Sequence, residues 1–216
     1  NQGGGAHKVA SYQKDGRSWL FERAGNHGLW VKIHGGPAGC ATNTYRADIQ
    51  EVVTLGYDVL LPNFPGSTGY GRAYREALYG QWGYADASYI ALHLPKNDTI
   101  VIEGRSAGAW TAMHLASQHT VRAVVLYYPV LDVKYLLNID FPFEEGYLRH
   151  LIGGSKQVVP RNNPTPLLIF QGGQDNIVPA EVTKKAVDEL RNDGWIIWYI
   201  HLTKEGHGFK SAETKE

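Results

Sequence analysis

The stretch that most restricts the fold of this chain is Thr99-Ile100-Val101-Ile102-Glu103-Gly104-Arg105-Ser106-Ala107-Gly108-Ala109-Trp110. A β-branched run breaks into Gly-x-Ser-x-Gly and then into helix formers, so it reads as strand, sharp turn, helix. Such a turn holds Ser106 in a strained backbone conformation. Gly104 and Gly108 are required because a Cβ at either place would collide with the neighbouring strand or helix. The pattern is short, and Gly/Ser-rich turns after strands also cradle phosphates or simply join elements.

Other pieces in the chain favour a nucleophilic serine, which needs a base, an orienting acid and oxyanion donors. His207, in Glu205-Gly206-His207-Gly208-Phe209, follows an apolar run at 195–202 and is the candidate base. Asp175, in Gly172-Gly173-Gln174-Asp175-Asn176, follows the apolar strand at 167–170 and is the candidate acid. Asp132, placed after an earlier strand, is its rival. A third apolar strand, 29–33, ends in His34-Gly35-Gly36-Pro37, and the amides of Gly36 and Ala107 are the candidate oxyanion donors. Taken alone, that turn reads as an ordinary tight turn. Each residue falls at the carboxyl end of a predicted strand, where open α/β sheets gather their chemistry, and the order Ser, Asp, His is that of α/β-hydrolases.

These motifs, with Gly56-Tyr57-Asp58-Val59-Leu60-Leu61-Pro62-Asn63, Gly66-Ser67-Thr68-Gly69-Tyr70-Gly71 and Trp82-Gly83, extend over nearly the whole chain. Together they resemble the catalytic domain of the prolyl oligopeptidase family, in particular its acylaminoacyl-peptidase and dipeptidyl-peptidase-like branches. The resemblance implies an α/β-hydrolase fold, with a mostly parallel central sheet of about eight strands and helices on both faces. It implies a Ser106, Asp175, His207 triad and favours Asp175 over Asp132. Three features depart from the family pattern: Pro65 stands where an arginine is usual, Ala109 where a second glycine is usual, and several connections are short. The family's N-terminal β-propeller is expected to be absent, and with it propeller-based selection of peptides. An open cleft then favours small activated esters, whereas the resemblance favours short or acylated peptides. The rival expectation is an inert scaffold or ligand-binding protein that keeps the fold without turnover.

The 216 residues suffice for one α/β domain, expected over 7–216, with 1–6 as a disordered tail or cloning remnant. Formal net charge is zero, so no field draws in nucleic acid or an acidic membrane surface. Cys40 is the single cysteine, which excludes an intrachain disulfide and a cysteine-rich metal site, and a reducing, cytoplasmic setting is expected. No apolar run reaches membrane-spanning length. Neither a metal nor an organic cofactor is needed for the expected acyl transfer to water, and nothing in the sequence fixes an oligomeric state.

Along the chain, Lys14-Asp15-Gly16-Arg17 separates two short segments, 8–12 and 18–22, predicted to form an edge hairpin. Helices are predicted over 44–55, 85–93, 107–118 and 180–191, strands over 57–61, 121–127 and 195–202, and the start of a helix at 211–216. Phe64 and Tyr70, in the loop after 57–61, are the candidate substrate walls, and the aromatic stretch 131–154 is a candidate cap. His114 and His119 are expected on the surface or in packing.

Overall fold

The computed structural model describes residues 10–22, 27–96, 99–137, 145–152 and 165–210. The expected tail at 1–6, the helix start at 211–216 and the centre of the 131–154 stretch lie outside the described residues. The chain opens with β1 (Ala10–Lys14), β2 (Ser18–Glu22) and β3 (Leu29–Ile33), then α1 (Ala47–Thr54) and β4 (Asp58–Leu61). Two short helices, α2 (Arg72–Glu76) and α3 (Ala85–Ala91), precede β5 (Ile100–Arg105), α4 (Gly108–Gln118) and β6 (Ala123–Tyr127). Then come α5 (Val133–Leu136), α6 (Glu145–Ile152), β7 (Leu167–Gly172), α7 (Ala180–Asn192) and β8 (Ile197–Leu202).

The eight strands form one sheet in the order β1-β2-β4-β3-β5-β6-β7-β8. β1 and β2 form the expected antiparallel hairpin, with Ala10 opposite Glu22, and β2 is antiparallel to β4; every other pairing is parallel. Left-handed backbone at Asp15 (φ 57) and Gly16 (φ 77) makes the tight hairpin turn. Successive connections from β3 run outward to β4 on one side and from β5 to β6 on the other, so the winding direction reverses between β3 and β5. That switch point is where such sheets leave a crevice beyond their strand ends.

Side chains alternate along a strand, and the two faces are covered by different helices. Leu60 packs in the larger core cluster with Ile90 of α3, Leu115 of α4 and Val187 of α7. Its neighbours Val59 and Leu61 pack against Ile49, Val52 and Val53 of α1. By the same alternation Ile100 and Ile102 face α4, while Val101, Glu103 and Arg105 face the α1 side. This is the α/β-hydrolase arrangement.

Helix ends differ from expectation by one to three residues. The helix predicted over 44–55 begins at Ala47, because Arg46 is extended (φ −141, ψ 124) and serves as N-cap without a side-chain bond. The last strand starts at Ile197 rather than 195, since Trp195 is buried against the core and its N–H donates back to Leu190 O, completing the turn after α7. His114 is buried, so of its two expected placements packing is the one realised.

One buried acid sets a pH dependence for the fold. Asp86 is fully buried, with Thr111 Oγ1 donating to its Oδ2 at 2.5 Å and the Ala87 N–H donating to its Oδ1 at 2.9 Å. Burial pushes its pKa up to about 6, against the opposing pull of Thr111 and the backbone amides. Between pH 4 and 6 the folded protein therefore binds a proton that the unfolded chain has lost, so stability falls as pH rises through this window. The loss is on the order of 2–3 kcal/mol, at about 1.4 kcal/mol per unit. Asp86→Asn is expected to flatten this slope: relative to the parent it unfolds at higher guanidinium at pH 8 than at pH 4. Equal displacement of the midpoint at both pH values would count against the assignment.

Candidate active site

Ser106 follows β5 directly, at φ 51, the left-handed region that L side chains rarely adopt. The turn is pinned from both sides. Ser106 N–H donates to Tyr127 O at 3.0 Å, and Ser106 O accepts from Ala109 and Val130 N–H. A Cβ on Gly104 would lie 2.7 Å from Ala109 Cα, and one on Gly108 would lie 2.5 Å from His34 O. Both contacts are backbone, so nothing can yield, and the two glycines let strand, turn and helix close on each other.

His207 lies in the loop after β8, held by Gln174 N–H donating to Glu205 O and Glu205 N–H donating to Leu202 O. Its Nδ1 lies 2.8 Å from Asp175 Oδ2 and its Nε2 lies 2.9 Å from Ser106 Oγ. A carboxylate can only accept, so Nδ1 carries the proton and Nε2 is free to accept from the serine hydroxyl. Asp175 Oδ1 accepts from the Ile177 and Val178 N–H groups at 2.9 Å each. Burial raises the Asp175 pKa, but the His207 ring and these two amides outweigh it and hold the carboxyl below its ordinary range. The three residues expected from the sequence are thus brought into one hydrogen-bonded line. Asp132 is elsewhere employed: its Oδ1 accepts from Lys134 and Tyr135 N–H and caps α5.

The loop after β3 lies against the serine turn. A Cβ on Gly35 would come within 3.0 Å of Arg105 O and 3.2 Å of Ser106 Cβ. Gly36 is exposed at φ 121, and a Cβ there would sit 2.6 Å from the Ala38 and Gly39 nitrogens. Among the described residues no protein group accepts from the Gly36 or Ala107 N–H. His34 supports this loop: Nδ1 donates to Gly35 O at 2.8 Å, Nε2 accepts from Ser67 Oγ at 2.9 Å, and the ring stacks on Phe64 at 4.4 Å. Burial lowers the His34 pKa, which keeps the ring neutral.

The structure corrects the expected substrate walls. Phe64 is fully buried beneath His34, and the Tyr70 hydroxyl is drawn to Arg17 O and Asn63 Nδ2. Neither lines the cleft of about 190 Å³ that opens beside Ser106, which is bounded by His34, Gly35, Arg46, Arg105 and Tyr128, among others. Tyr128 was not singled out by sequence reasoning. It has positive φ (38), and its ring lies 4.7 Å from that of His207 and 5.0 Å from Phe209. A tyrosine followed by proline after a buried strand was the available signal.

A sequence profile of the prolyl oligopeptidase family matches residues 43–216. The chain belongs to that family of serine-type peptidases. Among prolyl oligopeptidase relatives, dipeptidyl aminopeptidase BIII of Pseudoxanthomonas mexicana is 26% identical over 215 residues, covering 87% of this chain and 31% of that protein. The human acylamino-acid-releasing enzyme is 26% identical over 213 residues, covering 86% of this chain and 29% of its own. The crystal structure of a puromycin hydrolase matches with a TM-score of 0.81 at 27% identity, over 97% of this chain and 37% of the other. The chain therefore spans about a third of the length of these relatives. Among the described residues no group of three or more potential ligands could hold a metal ion, and no helix is long and apolar enough to cross a membrane.

Proposed function

We propose that this chain is an acyl-transfer hydrolase in which Ser106 is the nucleophile, His207 the general base and Asp175 the residue that fixes the imidazole. The observation that carries the reading is the continuous line from Asp175 Oδ2 through His207 to Ser106 Oγ, at 2.8 and 2.9 Å. His207 Nε2 takes the hydroxyl proton as Oγ attacks the substrate carbonyl, and returns it to the leaving group as the tetrahedral species collapses to an acyl-enzyme. Water, deprotonated by the same nitrogen, then releases the acid. The amides of Gly36 and Ala107 serve as the oxyanion donors, and the first turn of α4 adds favourable dipole at the same point.

The substrates proposed are short or N-acylated peptides and small esters, with an amide or ester carbonyl reaching Ser106. The family, and relatives named for releasing dipeptides and acylated amino acids, support the peptide side. The test is turnover of a short-chain 4-nitrophenyl ester beside an acyl-alanyl 4-nitroanilide, with the site of labelling by a fluorophosphonate mapped by mass spectrometry. A single adduct on Ser106 with turnover of both substrates is the expected result, and ester turnover alone would narrow the activity to an esterase. Absence of both labelling and turnover would overturn the reading in favour of an inert scaffold.

A further inference from the structure

Five charged side chains meet on the α1 face of the sheet, at the wall of the cleft that contains Ser106. Strand alternation puts Lys32 of β3 and Glu103 and Arg105 of β5 on this face, and Arg46 and Asp48 reach it from the start of α1. Lys32 Nζ donates to Glu103 Oε2 at 2.8 Å and to Asp48 Oδ2 at 3.1 Å. Trp30 Nε1 donates to Glu103 Oε2 at 3.0 Å and Arg105 Nε to its Oε1 at 2.9 Å, so both oxygens of this buried carboxylate are occupied. Arg46 grips Asp48 through Nε (3.0 Å) and Nη2 (2.7 Å), and Arg105 Nη2 reaches Asp48 Oδ2 at 3.3 Å.

Three cations thus share two carboxylates, which leaves the cluster with a net charge of +1. His34, on the same cleft, is neutral and adds none. Both carboxylates are spent: Glu103 is enclosed, and Asp48, though burial pushes it up, is held down to about 2 by Arg46 and Lys32. The arginines keep donors in reserve: a guanidinium has five N–H donors, each arginine uses two nitrogens on the cluster, and Arg105 in addition donates to the Tyr128 hydroxyl and lies over the Tyr127 ring at 5.0 Å. Arg46 and Arg105 each keep about a third of the side chain exposed. A single ordered water needs only about 10–15 Å³ of such space, so about 190 Å³ takes a chain of several heavy atoms. The cleft reaches from these guanidinium groups to Ser106 itself and to Gly35.

We infer that this cleft is a carboxylate subsite: Arg46 and Arg105 receive a carboxylate carried by the substrate a few atoms from the carbonyl that Ser106 attacks. The substrates favoured are then short acyl compounds or peptides with an acidic side chain or free carboxyl near the scissile bond. Fork-shaped guanidinium donors suit a planar carboxylate, and a neutral isostere would leave them unanswered. The choice of substrate class rests on the acyl-transfer reading above, whereas binding of a carboxylate does not.

The test separates the two. Glutarate and its neutral isostere glutaramide are titrated into the full chain carrying Ser106→Ala, which binds without turning over, and affinity is read by calorimetry or by ¹⁵N chemical-shift changes. Glutarate is expected to bind at least about tenfold more tightly than the diamide, and the preference to shrink with added salt. Arg46→Gln and Arg105→Gln are each expected to bring the ratio close to one; Arg46, at the rim, is the variant that leaves the buried Lys32–Glu103 pair intact. Equal affinity for the two ligands, binding of neither, or a preference that survives in both folded variants would overturn the proposal. In the Ser106-containing protein, glutarate should also inhibit ester turnover competitively. Binding without inhibition would place the anion away from the reacting carbonyl and overturn the assignment to the substrate cleft.

Discussion

Replacing Ser106 by alanine is expected to lower ester turnover by a factor on the order of 10⁴ to 10⁶ and to leave the fold intact. The two halves of this expectation have separate causes. The chemistry fails because Oγ is the atom that His207 Nε2 faces at 2.9 Å, and alanine puts no hydroxyl there. The fold persists because the turn is held by backbone groups, from Ser106 N–H to Tyr127 O and from Val130 N–H to Ser106 O, which alanine keeps. Denaturant midpoints should differ by no more than about 1 kcal/mol in stability. Steady-state rates on a nitrophenyl ester, with the residual rate compared with buffer alone, provide the measurement. A variant that turns over at the parental rate would assign the activity to another group and reduce the line of three residues to a structural feature.

The parts of this site that were legible in the sequence are those where local chain requirements coincide with chemistry. Gly104 and Gly108 must lack Cβ for the turn to close, so the glycines that announce Ser106 also dictate its geometry. Asp175 and His207 each follow a strongly apolar strand, and parallel strands bring their carboxyl ends to one edge. What was not legible depends on pairings between distant segments. The link between Lys32, Asp48, Glu103 and Arg105 joins two strands and a helix that only the sheet order brings together. Its signal was nonetheless present: a lysine inside Leu-Trp-Val-Lys-Ile and a glutamate inside Ile-Val-Ile-Glu-Gly are charges at positions that buried strands normally fill with apolar residues. Two such charges of opposite sign in neighbouring strands point to a pair.

Phe64 was misread for a related reason. A loop of glycines and aromatics beside a catalytic edge suggests side chains facing the substrate, and periodicity offers no guide to direction outside regular elements. In the structure Tyr74 Oη donates to Asn63 O, and Asn63 Nδ2 donates to Ala41 O and Arg17 O. These bonds tie the loop inward and turn Phe64 under His34. The aromatic ring then supports the Gly35 backbone rather than the ligand, so the loop acts on the site at one remove.

Asp175→Asn is expected to cost about 10⁴ in kcat while the protein remains folded and KM changes far less. Reversed hydrogen-bond sense, and not lost charge alone, causes the loss. Oδ1 must go on accepting from Ile177 and Val178 N–H, so the asparagine keeps its carbonyl there and turns its NH₂ toward His207. An NH₂ can only donate, which obliges His207 Nδ1 to accept and moves the ring proton to Nε2, where it points at Ser106. The base is then blocked in its own ground state. Rotating the amide gives no escape, because it would set NH₂ against two backbone donors. Gln171 cannot rescue the arrangement either: its Oε1 accepts from Thr183 Oγ1 and its Nε2 donates to Val178 O, which fixes the face it presents to residue 175. The ¹⁵N shifts of His207 in parent and variant should report the tautomer directly, with Nδ1 protonated in the former and Nε2 in the latter. A large loss of kcat with the parental tautomer retained would shift the role of Asp175 from orientation to charge, whereas an unchanged kcat would remove it from the mechanism.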